Sequence, residues 1–194
     1  MALARILLLS LIGFESLNFL GVLPFATYFS WIGLLVTSVG ALIVLEVVYY
    51  LFRKSRVILP TLPYIISSIS LWFDAFGDVA RLYGKFGWYD QAAHIIGGVA
   101  IMSVAIAMFA HYREKHKISL ALMLFISISF VGLFGSVYEI EEYLEDRYYH
   151  GEQKRLGDGP DTADDLLMNF LGGLAGGAAY AYFSRKIDIK TRKP

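Results

Sequence analysis

Acidic side chains recur at helical spacing around one histidine in the second half of the chain. Asp90 and His94 are four residues apart, and Glu139 and Glu142 are three apart, so each pair shares one face of a helix. In the first pair, the carboxylate either orients the imidazole or joins it in binding one cation. Carboxylates with a single imidazole form a hard, oxygen-rich environment that suits Mg²⁺, Mn²⁺ or Ca²⁺, and the histidine also suits Zn²⁺.

The chemistry predicted from these residue types is that of a divalent metal ion beside a free carboxylate. The candidate metal ligands are one histidine and five carboxylates, namely His94, Glu139, Glu142, Asp158, Asp161 and Asp165. The candidate catalytic residues are the two glutamates, either of which would act as general base, together with Asp90. The other members of the predicted polar cluster are Asp74, Asp78 and Asn169. A bound cation, or an arginine such as Arg81, would relieve the repulsion between these carboxylates.

Several of these residues also have a structural interpretation. Asp161 stands where an acid caps a helix and favours the helix dipole. Asp78 and Arg81 have the spacing of an ordinary ion pair one helical turn apart. Three further titratable residues are expected to face solvent: Glu141, Glu145 and His150.

Long apolar runs must position these side chains. Of the 194 residues, 57% are apolar and 18% are charged, and the apolar share exceeds the roughly 45–50% of soluble domains. A hydrocarbon core about 30 Å thick needs about 20 mostly apolar helical residues to cross it. The runs predict an all-α, polytopic membrane protein whose single domain, 1–194, is a bundle of six transmembrane helices near 3–24, 29–52, 59–79, 91–110, 118–142 and 163–184.

Basic residues set the predicted orientation, because cytoplasmic loops of membrane proteins carry an excess of Lys and Arg. One side of a six-span bundle holds both termini and twelve of the seventeen basic residues: Arg5, Arg53, Lys54, Arg56, Arg113, Lys115, Lys117, Arg185, Lys186, Lys190, Arg192 and Lys193. We therefore expect a multi-pass protein of the cell membrane with both termini in the cytoplasm. Most acids lie at the opposite, outer ends of spans 3 to 6, which predicts a polar site in the outer half of the bundle.

Composition excludes several other classes of function. Seventeen basic and seventeen acidic residues balance, which argues against an electrostatic nucleic-acid binder. The chain has no cysteine, which excludes disulfide scaffolds, thiolate metal sites and cysteine nucleophiles. The expected partners are membrane lipids, including a lipid-like substrate.

The polar motifs follow one another in a recognisable order. They are Tyr89-Asp90-x-x-x-His94-x-x-x-Gly98, Ser136-x-Tyr138-Glu139-x-x-Glu142, Asp158-x-x-Asp161-Thr162-x-x-Asp165 and Asn169-x-x-Gly172. In this order the set resembles the YjdF-like family of small polytopic membrane proteins and, more loosely, the VanZ-like proteins. The resemblance covers roughly residues 85–180. The chain departs from the YjdF-like pattern at Ile95 and Tyr143, where that family has an aromatic residue and a tryptophan, and both departures leave the polar positions intact.

The resemblance implies a fold and a set of site residues more than a reaction, because neither family supplies a settled chemistry. The acidic cluster leads us to expect a metal-dependent hydrolase or transferase that acts on lipid or isoprenoid headgroups. Two alternatives stay open. One is a cation or proton transporter, in which Glu15 and Glu46 would extend the polar path towards the cytoplasm. The other is a non-catalytic membrane protein held together by its polar cluster.

Overall fold

All regular structure in the described part of the chain is helical, which confirms the predicted fold class. The computed structural model describes residues 2–53 and 61–191. Its helices are α1 (Ala2–Phe19), α2 (Trp31–Phe52), α3 (Thr61–Val79), the short α4 (Leu82–Lys85), α5 (Tyr89–His116), α6 (Leu120–Glu145), a π-helical turn (Asp146–His150) and α7 (Gly159–Thr191). The predicted start of the third span at 59–60 and four basic residues lie outside the described residues, namely Lys54, Arg56, Arg192 and Lys193.

Five helices within 2–53 and 61–191 are long and apolar enough to cross a membrane. They are α1, α2, α5, α6 and α7. The remaining predicted span corresponds to α3, which is less apolar because Asp74, Asp78 and three serines interrupt it. The prediction of six spans is therefore confirmed for five. α3 nevertheless packs inside the bundle, since Tyr64 and Ala75 are almost fully buried.

The connection between α1 and α2 covers residues 20–30, so α1 ends earlier than predicted. The Asn18 amide group donates a 2.8 Å hydrogen bond to the Phe14 carbonyl, and its oxygen accepts one of 3.2 Å from the Phe25 backbone amide. Gly21 has a φ of 72°, in the left-handed region that favours glycine. Ser30 then caps α2 by accepting a hydrogen bond from the amide three residues on.

α5 and α7 approach closely at two glycines. A methyl group on Gly98 would overlap the backbone carbonyl oxygen of Asn169, and one on Gly172 would overlap that of Ile95. Small residues permit such a close approach between helix backbones. The contact holds His94 of α5 against the first turns of α7, where Asn169 lies.

α1, α2 and α3 form a second packed group. Its buried core residues are Ala4, Leu8, Leu45 and Tyr64. Arg5 donates two hydrogen bonds, of 2.6 and 2.7 Å, to the Glu46 carboxylate. Glu15 is fully buried and accepts a 3.0 Å hydrogen bond from Ser38. Both glutamates are thus engaged between α1 and α2.

One end of the bundle gathers the carboxylates. α2, α5 and α7 begin at this end, and α3 and α6 finish there. Side-chain contacts join these helix ends. Asp78 of α3 binds the loop before α2, and Glu145 of α6 binds Ser30, the residue immediately before α2. His94 of α5 lies near Asp165 of α7. We call this end of the bundle the acidic end.

Candidate metal centre

Asp90, His94 and Asp165 bring three potential metal ligands together at the acidic end. One ligand atom from each residue lies within 4.8 Å of the other two, and this is the one such group among the residues that the structure describes. His94 Nε2 is 3.6 Å from Asp90 Oδ1 and 3.4 Å from Asp165 Oδ1. Ligand atoms about 2.1 Å from one cation lie about 3 to 3.5 Å apart. The two distances from the histidine to the aspartates are therefore close to those between ligands of one divalent ion.

Asn169 holds the other nitrogen of the His94 ring. Its Nδ2 lies 3.2 Å from His94 Nδ1. While Nδ1 accepts this hydrogen bond, the neutral ring carries its proton on Nε2, towards the two aspartates. When Nε2 binds a cation instead, Nδ1 must carry the proton, and a half-turn of the Asn169 amide presents its oxygen as the acceptor. Asn169 can therefore support the ring in either state.

Among the described residues, three carboxylate oxygens of Asp165 and Glu139 lack hydrogen-bond partners of normal geometry. Asp165 Oδ1 and both carboxylate oxygens of Glu139 are buried and make no hydrogen bond of normal geometry within the described residues. The two residues are 4% and 6% exposed. The charges of Asp90 and Asp161 also act on Glu139. Burial of an unpaired carboxylate is costly, and a bound cation would lower that cost.

Arg155 also lies at the acidic end, where it binds glutamates of α6. Its Nη1 donates to Glu141 (2.8 Å) and Glu145 (2.6 Å), while its Nη2 lies 3.2 Å from Glu142 and 3.1 Å from the Tyr138 hydroxyl. Burial alone would lower the pKa of the Arg155 guanidinium, but the facing tyrosine and glutamates raise that pKa above its usual range. The expectation that Glu141 and Glu145 face solvent is wrong, because both pair with Arg155 inside the protein.

The segment after α6 is folded so that it carries Arg155 into the bundle. The Asp146 carboxylate accepts hydrogen bonds of 2.8 to 3.0 Å from the backbone amides of Lys154, Arg155 and Leu156. Gly151, with a φ of 70°, ends the π-helical turn in the left-handed conformation. These two features reverse the chain and direct the arginine inwards.

Glu145 links this segment to α2. It accepts a hydrogen bond from the Ser30 hydroxyl and lies 2.8 Å from His150 Nε2. The His150 side chain is only 11% exposed, so the expectation of a surface histidine is wrong. A methyl group on Gly33 would overlap both Arg155 and Glu145. Glycine at that position lets the ion pair pack against the helix.

Asp74 and Asp78, predicted members of the polar cluster, lie on α3 and contact α4 and the loop before α2. Asp74 accepts a 2.5 Å hydrogen bond from the Tyr83 hydroxyl. One Asp78 oxygen accepts two hydrogen bonds of 2.7 Å from backbone amides of the loop before α2, and the other oxygen makes none. The expected ion pair between Asp78 and Arg81 is therefore not formed, because the carboxylate anchors the α1–α2 loop instead.

The acids at the start of α7 divide between the surface and the interior. Asp158 is exposed, and its carboxylate accepts a 3.1 Å hydrogen bond from the Asp161 backbone amide, so Asp158 rather than Asp161 caps the helix. The Asp161 side chain faces the cavity beside the centre. The predicted ligands at or near the centre are thus His94, Glu139, Asp161 and Asp165, and those engaged elsewhere are Glu142 and Asp158.

A cavity of about 930 Å³ opens beside the centre. Its walls come from α2, α3, α5, α6, the first turns of α7 and the segment 153–157. This volume is in the range of sites for small molecules and cofactors. Neither Glu15 nor Glu46 is among the residues that line this cavity; Glu46 pairs with Arg5, and one oxygen of Glu15 accepts from Ser38 while the other makes no hydrogen bond within the described residues.

Sequence analysis did not assign Arg155 or Tyr138 to the cluster. A signal for Arg155 was available, because a dense set of acids requires a buried counter-charge and few basic residues lie on that side. Choosing among those few depends on the fold of the segment after α6, which no local pattern specifies.

A bundle of apolar helices that encloses an acidic, histidine-containing cavity defines a membrane protein with a candidate ligand site. Residues 5–186 match the DUF2238 family of predicted membrane proteins, and the chain belongs to this family. No curated protein and no solved structure matches the chain.

Proposed function

We propose that this protein binds a divalent cation through Asp90, His94 and Asp165 and uses it to act on the headgroup of a membrane lipid. The observation that supports the proposal is a set of three buried carboxylate oxygens, Asp165 Oδ1 and both oxygens of Glu139, that make no hydrogen bond of normal geometry within the described residues. Protein interiors leave such groups unpaired only rarely, and positive charge at this point would satisfy both carboxylates.

The donor set favours some ions over others. One imidazole with two carboxylates suits Zn²⁺ and Mn²⁺, whereas Mg²⁺ and Ca²⁺ prefer oxygen ligands and would depend more on the aspartates and on water. The open side of the centre faces the cavity, so a substrate oxygen or water can complete the coordination.

Glu139 is the proposed general base, because Glu142 is paired with Arg155. The cation would withdraw electron density from an ester oxygen of the headgroup and activate a water molecule. Glu139 would take the proton of that water as the new bond to phosphorus or carbonyl carbon forms. The ester bond then breaks, and the alcohol leaves with the proton that the carboxyl group returns.

We propose further that the acidic end faces the outside of the cell membrane and that both termini are cytoplasmic. The distribution of Lys and Arg along the sequence supports this orientation. The narrower YjdF-like assignment is also a proposal, supported by the ordered motifs between residues 89 and 172. The looser VanZ-like similarity rests on the same polar positions.

Metal titration of the purified full-length protein in detergent tests the proposal. Wild type is expected to bind Mn²⁺ or Zn²⁺, and His94→Ala and Asp165→Asn are expected to weaken binding by more than about tenfold. Asp158→Asn is the matched control, because that side chain is exposed and asparagine also caps helices.

The same preparations are then assayed on a panel of phospholipids with and without the bound metal. Turnover that requires metal and is lost in Glu139→Gln supports the enzymatic part. A wild-type protein that binds none of Mg²⁺, Mn²⁺, Ca²⁺ or Zn²⁺ in the titration would refute the proposal and leave the cluster with a structural role.

A further inference from the structure

The walls of the cavity beside the metal centre are charged at the acidic end and uncharged along the rest of the cavity. At the acidic end its walls carry Asp90, His94 and Arg155. The walls formed by α2, by α5 from residue 97 onwards, and by α6 up to Val137 contain no charged side chain. From Val36 to Val48 the α2 wall extends about 18 Å at 1.5 Å per residue, which is more than half of a hydrocarbon core about 30 Å thick.

The apolar part of the cavity has an opening between α2 and α6. Val36, Ile43 and Val47 of α2 and Val137 of α6 line the cavity, yet they are 47%, 58%, 51% and 51% exposed. Gly40 lies between them on α2, also lines the cavity, and has no other atom within 4 Å of the place where a side chain would begin. Both helices are long and apolar enough to cross a membrane, and an opening between them would then face lipid.

The acidic end of the cavity is covered by the chain itself. Residues 153–157 contribute to its walls. Three backbone amides of this segment are bound to Asp146, and Arg155 is bound to glutamates of α6. Above the apolar part, the hydrogen bond from Ser30 to Glu145 joins α2 to α6. The acidic end is thus closed by bound segments, whereas exposed cavity-lining residues of α2 and α6 leave the apolar part open to the side.

We infer that the cavity accommodates a hydrocarbon chain of a membrane lipid, which enters from the bilayer between α2 and α6 and brings its headgroup to the metal centre. The inference deepens the proposed function, on which its account of the headgroup rests. An uncharged wall open to lipid fits a hydrocarbon chain, whereas the acidic end fits a polar headgroup or the cation bound to it. The substrate class is thus a lipid that stays embedded while its headgroup reacts.

Fluorescence quenching tests this occupancy, and the lack of native cysteine makes single-cysteine variants direct to prepare. Thr37→Cys on α2 and Val104→Cys on α5 place a bimane label in the cavity. Val39→Cys places it outside the cavity, on the exposed surface of α2. The protein is reconstituted in nanodiscs of phosphatidylcholine brominated on one acyl chain. We expect the brominated lipid to quench all three labels, and aqueous iodide to quench none of them strongly.

Filling the opening supplies the second arm of the test. Gly40→Phe is expected to remove most of the brominated-lipid quenching at both cavity positions and to leave the label at residue 39 unchanged. Gly13→Phe on α1 is the matched control, because that glycine also has open space around it and does not line the cavity. Quenching of the cavity labels by iodide and not by the lipid, or quenching that Gly40→Phe does not alter, would overturn the inference.

Metal titration of the Gly40→Phe variant separates this inference from the proposed function. The residue lies away from the metal ligands, so its metal affinity is expected to equal that of wild type. If brominated lipid does not quench the cavity labels while the wild-type protein binds metal, only the lipid inference is refuted. Lipid quenching without metal binding would refute the metal site and leave the cavity as a lipid site.

Discussion

The His94 ring is held by one amide whose orientation decides which ring nitrogen is free. Asn169 contacts Nδ1, and Asp90 and Asp165 lie near Nε2. A cation on Nε2 requires a proton on Nδ1 and an acceptor for that proton. Asn169 is thus a positioning residue for the proposed metal centre and not one of its ligands.

Replacing this amide should weaken metal binding without unfolding the protein. Asn169→Ala is expected to lower the affinity for Mn²⁺ or Zn²⁺ by about 10- to 100-fold, the usual effect of removing a partner of a ligating histidine. Asn169→Asp keeps an acceptor for Nδ1–H and should recover much of the affinity. Calorimetric titration measures both, and a thermal unfolding curve shows that each variant is folded. Equal affinity in wild type and Asn169→Ala would contradict the role.

Arg155 is the buried counter-charge for three glutamates of α6. Arg155→Met should destabilise the protein by about 3–5 kcal/mol, because removing one partner leaves buried carboxylates unpaired. Arg147→Met is the matched control, since Arg147 is exposed and substitutions of such residues usually change stability by less than about 0.5 kcal/mol. Unfolding in detergent, followed by circular dichroism, gives both values. Similar midpoints for the two variants would mean that the ion pairs contribute little.

At the scale of helices, the approach of α5 to α7 positions the metal ligands. Gly172→Ala would place a methyl group against the Ile95 carbonyl of α5. Helices that must separate to accept it lose about 1–3 kcal/mol of stability, and the gap between His94 and Asp165 widens. We expect a lower unfolding midpoint together with weaker metal binding.

Gly13→Ala on α1 is the control for this substitution. Its added methyl group would meet no other atom within 4 Å, and alanine favours a helix over glycine by roughly 0.5–1 kcal/mol. This variant should match or exceed wild type in stability and keep its metal affinity. If Gly172→Ala also binds metal as wild type does, the helix contact does not set the ligand geometry.

For the whole molecule, local pattern predicts the helices, whereas contacts distant in sequence form the site. Apolar runs predicted the long helices, and a spacing of four placed Asp90 and His94 on one face. Arg155 reaches the glutamates of α6 only because Asp146 binds the backbone around it. The spacing of Asp78 and Arg81 predicted an ion pair between them, but the Asp78 carboxylate binds the backbone of a distant loop instead. Such contacts leave no periodic trace in the sequence.

α3 also bears on the order in which the chain is assembled during synthesis. Aspartate is among the costliest residues to insert in a membrane helix, at roughly 2.5–3.5 kcal/mol at the helix centre, and α3 carries Asp74 and Asp78 in its last turns. Asp78 finds its partners in the loop before α2, and Asp74 finds its partner in α4. The loop before α2 and the short helix α4 thus satisfy its acids. We expect α3 to leave the insertion machinery together with these neighbours, as one unit, and not as a separate helix.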